Sequence, residues 1–260
     1  MTAHQESIID QFTRQAVPFS KLYGHTNQES LDLLMKMARV SKSDTVLDVA
    51  CGPGIVACAF AAVSSHVTGI DLTPAMLDRA RSLAQQKNLT NLSWHQGDIE
   101  TLPFPDESFS IVLSRYAFHH FLQPDVVLSE MVRVCRRGGI ILIADVAMPP
   151  EKVDAYNYIE KLRDPSHTRA LTLEEFSKLV ADANLQNINL AFYKVELEME
   201  QQLAASFPNP GDGDKIRQIF REDIGVDSLG IGAHFRGDEI HYAVPIAALA
   251  AEKPKLYLTC

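Results

Sequence analysis

The stretch from Thr45 to Asp71 limits the fold of this chain more tightly than any other. TVLDVA at 45–50 is an apolar run of strand length, and Gly52-Pro53-Gly54 follows it at once. ACAFAAV at 57–63 then reads as a helix, and HVTGID at 66–71 as a second strand that ends on an acid. Glycine lets the backbone approach a ligand where a Cβ would collide, and Pro53 restricts the turn. Strand, glycine turn, helix and acid-terminated strand together make the nucleotide-binding half of a doubly wound α/β domain, whose ligands lie at the carboxyl ends of the strands. Asp71 sits where a carboxylate can accept two hydrogen bonds from ribose hydroxyls. Only 17 residues separate Gly54 from Asp71, and Val56 and Ala57 break the GxGxxG spacing of pyrophosphate cofactors.

The alternation continues down the chain. Thr73 and Pro74 suit the N-cap and first turn of a helix running to about Lys87. LSWHQGD at 92–98, SIVLSRY at 110–116 and GIILIADV at 139–146 read as strands, with a helical crossover at 124–134. Beyond Pro149-Pro150 the pattern predicts helices over 154–162, from Thr172 and over 214–223, and strands over 188–198 and 242–251. The expected fold is α/β: a doubly wound, mostly parallel seven-stranded sheet with helices on both faces. Before it, Ile8, Ile9 and Phe12, then Leu31, Leu34, Met35 and Ala38, fall at helical spacing, with a break expected around Pro18 and Gly24. This divides the chain into an N-terminal helical lid at 1–40, a cofactor-binding core at 41–150, and a C-terminal completion of the same domain at 151–260 that carries substrate-specificity segments.

Composition excludes several classes. With 46% apolar and 22% charged residues the chain is a folding one, and a net charge of −9 disfavours nucleic acid as a partner. No basic leader and no run of 18 apolar residues occur, so a cytoplasmic protein without an integral membrane segment is expected. Cys51, Cys58, Cys135 and Cys260 form no close CxxC pair and read as free thiols of a reducing compartment. No metal is expected, because His119 and His120 lack a matching carboxylate or thiol at ligand spacing. A homodimer is compatible with all of this.

VLDVACGPG, VTGIDLTPAMLDRA, GDIETLPFPDESFSIVLSRYAFHHF and EMVRVCRRGGIILIADV follow one another in an order that resembles the class I S-adenosylmethionine-dependent methyltransferases, with a Rossmann-like fold. The likeness is to the small-molecule branch that includes the quinone-biosynthesis C-methyltransferases. It spans roughly residues 40–150 and extends weakly through RDPSHTRALTLEEF at 163–176. The resemblance implies that Gly52 and Gly54 contact the methionine part of S-adenosyl-L-methionine, Asp71 its ribose, Leu72 a face of adenine, and Asp98 and Ile99 the adenine edge. Asp48 would organise the glycine turn and the methionine ammonium, and Ser114 completes the cofactor set. RVCRRGG at 133–139 replaces the family's usual lysine-proline-glycine-glycine turn.

Methyl transfer needs a nucleophile aligned opposite the sulfonium, so positioning supplies much of the catalysis. His119 and His120, just after the fourth strand, are the candidate acid/base residues. Arg115, Tyr116, Arg163, His167 and Arg169 are candidate contacts to a small-molecule methyl acceptor, and Phe12, Phe19 and Tyr23 candidate lid residues. Phe192, Tyr193, Phe207, Phe220 and Phe235 suit an apolar acceptor pocket. The expected reaction methylates carbon or oxygen of a small cyclic or aromatic metabolite and releases S-adenosylhomocysteine. The competing readings are a nonmethylating S-adenosylmethionine-binding enzyme, a regulatory subunit, or a nicotinamide-dependent oxidoreductase.

Overall fold

The computed structural model describes residues 2–19 and 27–255, Phe19 by its backbone alone. Two helices, α1 (Ala3–Phe19) and α2 (Gln28–Ala38), precede the sheet. The alternation expected from the sequence follows as β1 (Thr45–Val49), α3 (Ile55–Ala61), β2 (His66–Asp71), α4 (Pro74–Gln86), β3 (Leu92–Gln96), β4 (Phe109–Arg115), a 3-10 turn (Phe118–His120), α5 (Pro124–Val134) and β5 (Cys135–Met148). Thereafter come α6 (Val153–Arg163), β6 (Leu171–Thr172), α7 (Leu173–Asp182), β7 (Gln186–Glu198), α8 (Met199–Ser206), α9 (Asp212–Asp223), β8 (His234–Arg236) and β9 (Glu239–Glu252).

The sheet runs β3-β2-β1-β4-β5-β9-β7, with the short β6 paired to β5 and β8 to β9. The first five strands are parallel, and β9 is antiparallel to both β5 and β7. Strand order reverses between β1 and β4, which opens a crevice at their carboxyl ends. Every residue of β4 is buried, as parallel strands covered on both faces require. Adjacent residues divide between two cores: Val46, Ile111 and Leu142 face one layer of helices, Leu47, Val112 and Ile141 the other. No helix among the described residues is long and apolar enough to cross a membrane.

Three local expectations need correction, and a fourth is met in part. Helix α1 continues through Pro18 to Phe19, because a proline in the last turn removes a single backbone donor. The Arg136–Gly139 segment is no turn between elements but an interruption within β5. The register with β4 jumps there from Phe109↔Cys135 to Ile111↔Ile140, and Gly138 takes a φ of +69°. Thr73 occupies the N-cap of α4 as expected, though without a side-chain capping bond, whereas Thr172 closes a full capping box with Glu175. Strand β9 starts before Tyr242 and tolerates Pro245, which lies one residue past the last partner in β5 and so has a neighbour on one side only.

Cys51, Cys58 and Cys135 are buried free thiols, and burial pushes Cys58 up to about 11 and Cys135 up to about 12. Trp94 of β3 packs under the glycine turn. A Cβ on Gly54 would lie 2.8 Å from the Trp94 ring and 2.7 Å from the Ala80 Cβ, and the φ of +78° there disfavours any side chain. Gly54→Ala is therefore expected to cost roughly 2–4 kcal/mol of stability, read as a lowered urea midpoint at unchanged m-value.

Candidate functional site

A cavity opens at the carboxyl ends of β1, β2 and β4, with Gly52, Pro53, Asp71, Leu72, Asp98 and Ile99 on its walls. Its geometry is set by the backbone of the turn, where Ala50, Gly52 and Gly54 all have positive φ (56°, 51° and 78°). Asp71 clasps that turn: its Oδ2 accepts the Gly52 N–H and its Oδ1 the Thr73 N–H, each at 2.8 Å. Burial outweighs these two donors and holds the Asp71 carboxyl above the ordinary carboxylate range. Each oxygen keeps a further lone pair for a ligand hydroxyl.

Three expected cofactor contacts do not reach the cavity. Gly54 is occupied with the close packing of Ala80 and Trp94, so its missing side chain serves the fold beneath the turn. Ser114 is fully buried within β4, away from both cavities described here. Asp48 lies 2% exposed under the turn and accepts the Ala57 N–H at the start of α3. Burial, opposed by that bond and reinforced by Asp71, pushes its carboxyl up to about 8, so at neutral pH it is mostly protonated and supports the turn from below.

Helix α1 roofs this cavity. His4, Ile8 and Phe12, at i, i+4 and i+8, turn one stripe toward it, and Gln5 Nε2 donates to Asp98 Oδ2 at 2.7 Å. The His4 Nε2 hydrogen bonds the His120 carbonyl at 2.8 Å. Of these contacts only Phe12 was expected, and the stripe in AHQESIIDQF was the available signal. Tyr23 and the side chain of Phe19 lie outside the described residues.

A second cavity adjoins the first, and Phe12, Tyr116 and His120 line both. Its floor is Val195 and Leu197 of β7 against Val244, Tyr242 and Ile246 of β9. Tyr116 holds a left-handed backbone (φ 56°) by donating its N–H to Ala144, and its hydroxyl donates to Tyr193 at 2.9 Å. Arg115 lines the first cavity instead of the second. Its guanidinium donates to Ser30 and Tyr116 and stacks 4.2 Å from the Tyr116 ring centroid.

The two histidines differ in state. His119 Nδ1 lies 2.6 Å from Asp145 Oδ1, while Asp145 also accepts the Phe118 and Val146 N–H groups at 2.7 Å. Burial works against the charged ring, but the Asp145 charge and hydrogen bond outweigh it, so the His119 pKa lies above the ordinary histidine value. The Asp145 bond fixes the proton on Nδ1 and leaves Nε2 for the second cavity. His120 is pushed down to about 4 by burial and by His119, and its Nδ1 donates to the Ser166 carbonyl at 3.2 Å. Asp145 was missed by the sequence reading; an acid inside the apolar run GIILIADV was its signal.

Arg163 reaches the second cavity, paired with Glu160. His167 and Arg169 do not. His167 is fully buried behind the histidine pair and bonds Asn157, and burial holds its ring far below the usual histidine range. Arg169 points outward to Glu175. Phe192, Phe207 and Phe235 are exposed, and Phe220 packs edge-on against Tyr242. Among the described residues no group of three or more His, Cys, Asp or Glu side chains is arranged to hold a metal.

The family described as "Methyltransferase domain" matches residues 47–143. The chain is similar to an uncharacterized methyltransferase, YcgJ, of Bacillus subtilis (strain 168), at 33% identity over 189 residues that cover 72% of this chain and 74% of the relative. The solved structure of YcgJ superimposes with a TM-score of 0.81 at 26% identity, covering 88% of this chain and 100% of that one. A demethylmenaquinone methyltransferase of Listeria welshimeri is 35% identical over 118 residues, 44% of this chain and 50% of its own.

Removing the Asp145 charge leaves burial as the dominant influence on His119. In Asp145→Asn the His119 ring, followed by NMR titration, is expected to take its proton below the ordinary histidine value instead of above it. The sign carries into stability: the ion pair contributes at pH values below the unfolded histidine pKa and is lost as pH rises through the higher folded one.

Proposed function

The chain belongs to the class I S-adenosylmethionine-dependent methyltransferases, and from that membership we propose that it methylates carbon or oxygen of a small cyclic or aromatic metabolite held in the second cavity, releasing S-adenosylhomocysteine. The observation that carries the acceptor reading is the shared wall of Phe12, Tyr116 and His120 between the glycine-turn cavity and a largely apolar chamber that contains an ionisable dyad.

The residues of the first cavity fit the cofactor by their chemistry. Asp71 offers lone pairs to a ribose, Leu72 and Ile99 offer apolar surface to a base, and Asp98 offers an acceptor to an exocyclic amine. The acidic lining of Asp71, Asp98 and Glu100 suits a ligand that carries a sulfonium and an ammonium. Bound there, S-adenosylmethionine would supply an electrophilic methyl group next to the shared wall.

This chain's own residues would align the acceptor and manage its proton. Phe12 and Tyr116 would fix the acceptor's approach, which is where positioning lowers the barrier most. His119 Nε2 would take the proton that the acceptor gives up as the new bond to methyl forms, with Asp145 stabilising the resulting imidazolium. His120, neutral at physiological pH, would serve as a wall and a fixed dipole instead of a second base.

Mass spectrometry of a metabolite extract incubated with the protein and isotopically labelled S-adenosylmethionine tests the reading. A protein-dependent product carrying the labelled methyl is expected; cofactor binding without any such product would defeat it. With the acceptor in hand, His119→Gln is expected to lower kcat/KM by about 10²–10⁴-fold while calorimetry finds cofactor affinity retained. Equal turnover in the variant removes His119 from the mechanism.

A further inference from the structure

The walls of the second cavity also constrain the charge of what enters it. Among the described residues that line it, Arg163 is the one lysine or arginine. Both arms of its guanidinium are engaged: Nε and Nη2 bond Glu160 at 2.9 and 2.5 Å, and Nη1 bonds Ser206 Oγ at 2.9 Å. The remaining cationic group, His119, is held by Asp145. Against these stand the carboxylates of Asp145, Glu160 and Asp164, so the lining is net negative whether or not His119 is protonated. Among the described lining residues, a phosphate or carboxylate would meet one open cationic donor at most, the Nε2 of a protonated His119, against three carboxylates, and would lose its hydration without full compensation.

The carboxylates are committed as well. Asp164 accepts from Ser166 N, Ser166 Oγ and Gln15 Nε2 at 2.9, 2.6 and 3.1 Å, both oxygens of Glu160 accept from Arg163, and Asp145 accepts from its own three donors. An ammonium ion would have to compete with these bonds.

What remains unsatisfied is neutral. Tyr156 and Tyr242 line the cavity, each only 4% exposed, and neither hydroxyl makes a hydrogen bond among the described residues. Burial, the leading influence on both, holds the phenols above their ordinary range, so they stay protonated donors. Gln202 adds a buried Oε1 with no hydrogen-bond partner on the same lining. Buried hydroxyls and amides are ordinarily paired, and a set left open around a cavity marks the groups a ligand completes.

Resting on the reading of this cavity as the acceptor site, we infer that the acceptor is uncharged, neither phosphorylated nor carboxylated nor an ammonium ion, and carries an oxygen that accepts hydrogen bonds from Tyr156 and Tyr242. Specificity then arises from two phenol donors set in apolar surface, with phosphorylated analogues turned away by the committed Arg163. Rejection of this kind is strong, because a misplaced buried charge costs far more than a lost contact.

The test separates a metabolite extract at pH 7 on anion and cation exchangers into uncharged, anionic and cationic pools. Each pool is incubated with the full chain and labelled S-adenosylmethionine. Labelled product in the uncharged pool is the expected result; label confined to the anionic or cationic pool overturns the inference while leaving methyl transfer intact. No labelled product in any pool, with cofactor bound, overturns the methyl-transfer reading and this inference with it. With the acceptor isolated, Tyr156→Phe and Tyr242→Phe are each expected to raise KM about 2- to 10-fold with kcat little changed. Unchanged KM in both variants would overturn the assignment of the two phenols, and the conservative substitution keeps their packing in place.

Discussion

The functional half of this molecule depends on one carboxylate. Asp71 ends β2, and by accepting the N–H groups of Gly52 and Thr73 it ties the loop after β1 to the loop after β2. Neither loop could hold its shape alone: Ala50 adopts a left-handed backbone that costs an alanine on the order of 1 kcal/mol, and backbone donors at strand ends need partners. The clasp supplies both partners from one side chain. It also explains why the acid lies where it does, since the same oxygens face the cavity at the point where the sheet order reverses.

A second economy governs the neighbouring chamber. Charged groups cluster there in closed pairs, His119 with Asp145 and Arg163 with Glu160, each buried enough that breaking a pair would strand a charge. Such pairs contribute little net stability, yet they fix where a proton resides and which side-chain atoms remain for a ligand. Asp145 is central to this. It holds His119, caps the 3-10 turn through Phe118 and accepts from Val146, so one side chain joins the end of β5 to the histidine turn.

Legibility in the sequence followed the range of the interactions. The seven main strands lie where apolar runs bounded by glycine, proline and acids predict them, most plainly for β1, β2 and β4, because a parallel strand buried on both faces records its environment locally. The identity of the cavity-lining residues Gly52, Asp71, Leu72, Asp98 and Ile99 was likewise readable, since backbone approach and strand ends leave local marks. Asp48, Gly54, Ser114, His167 and Arg169 lie off the walls of the two cavities for a common reason. A motif cannot say whether a glycine makes room for a ligand or for Trp94, nor whether a polar segment faces a cavity or Glu175. The contacts of α1 join residues 93 and 116 positions apart, and no local pattern encodes them. Tyr156, Tyr242 and Glu160 meet only when β9 and α6 close on β5.

The bonds of α1 run along its whole length, from Gln5 on Asp98 and His4 on the His120 carbonyl to Gln15 on Asp164 and Ser206. One helix therefore borders both chambers, and its contacts beside one are tied through it to its contacts beside the other.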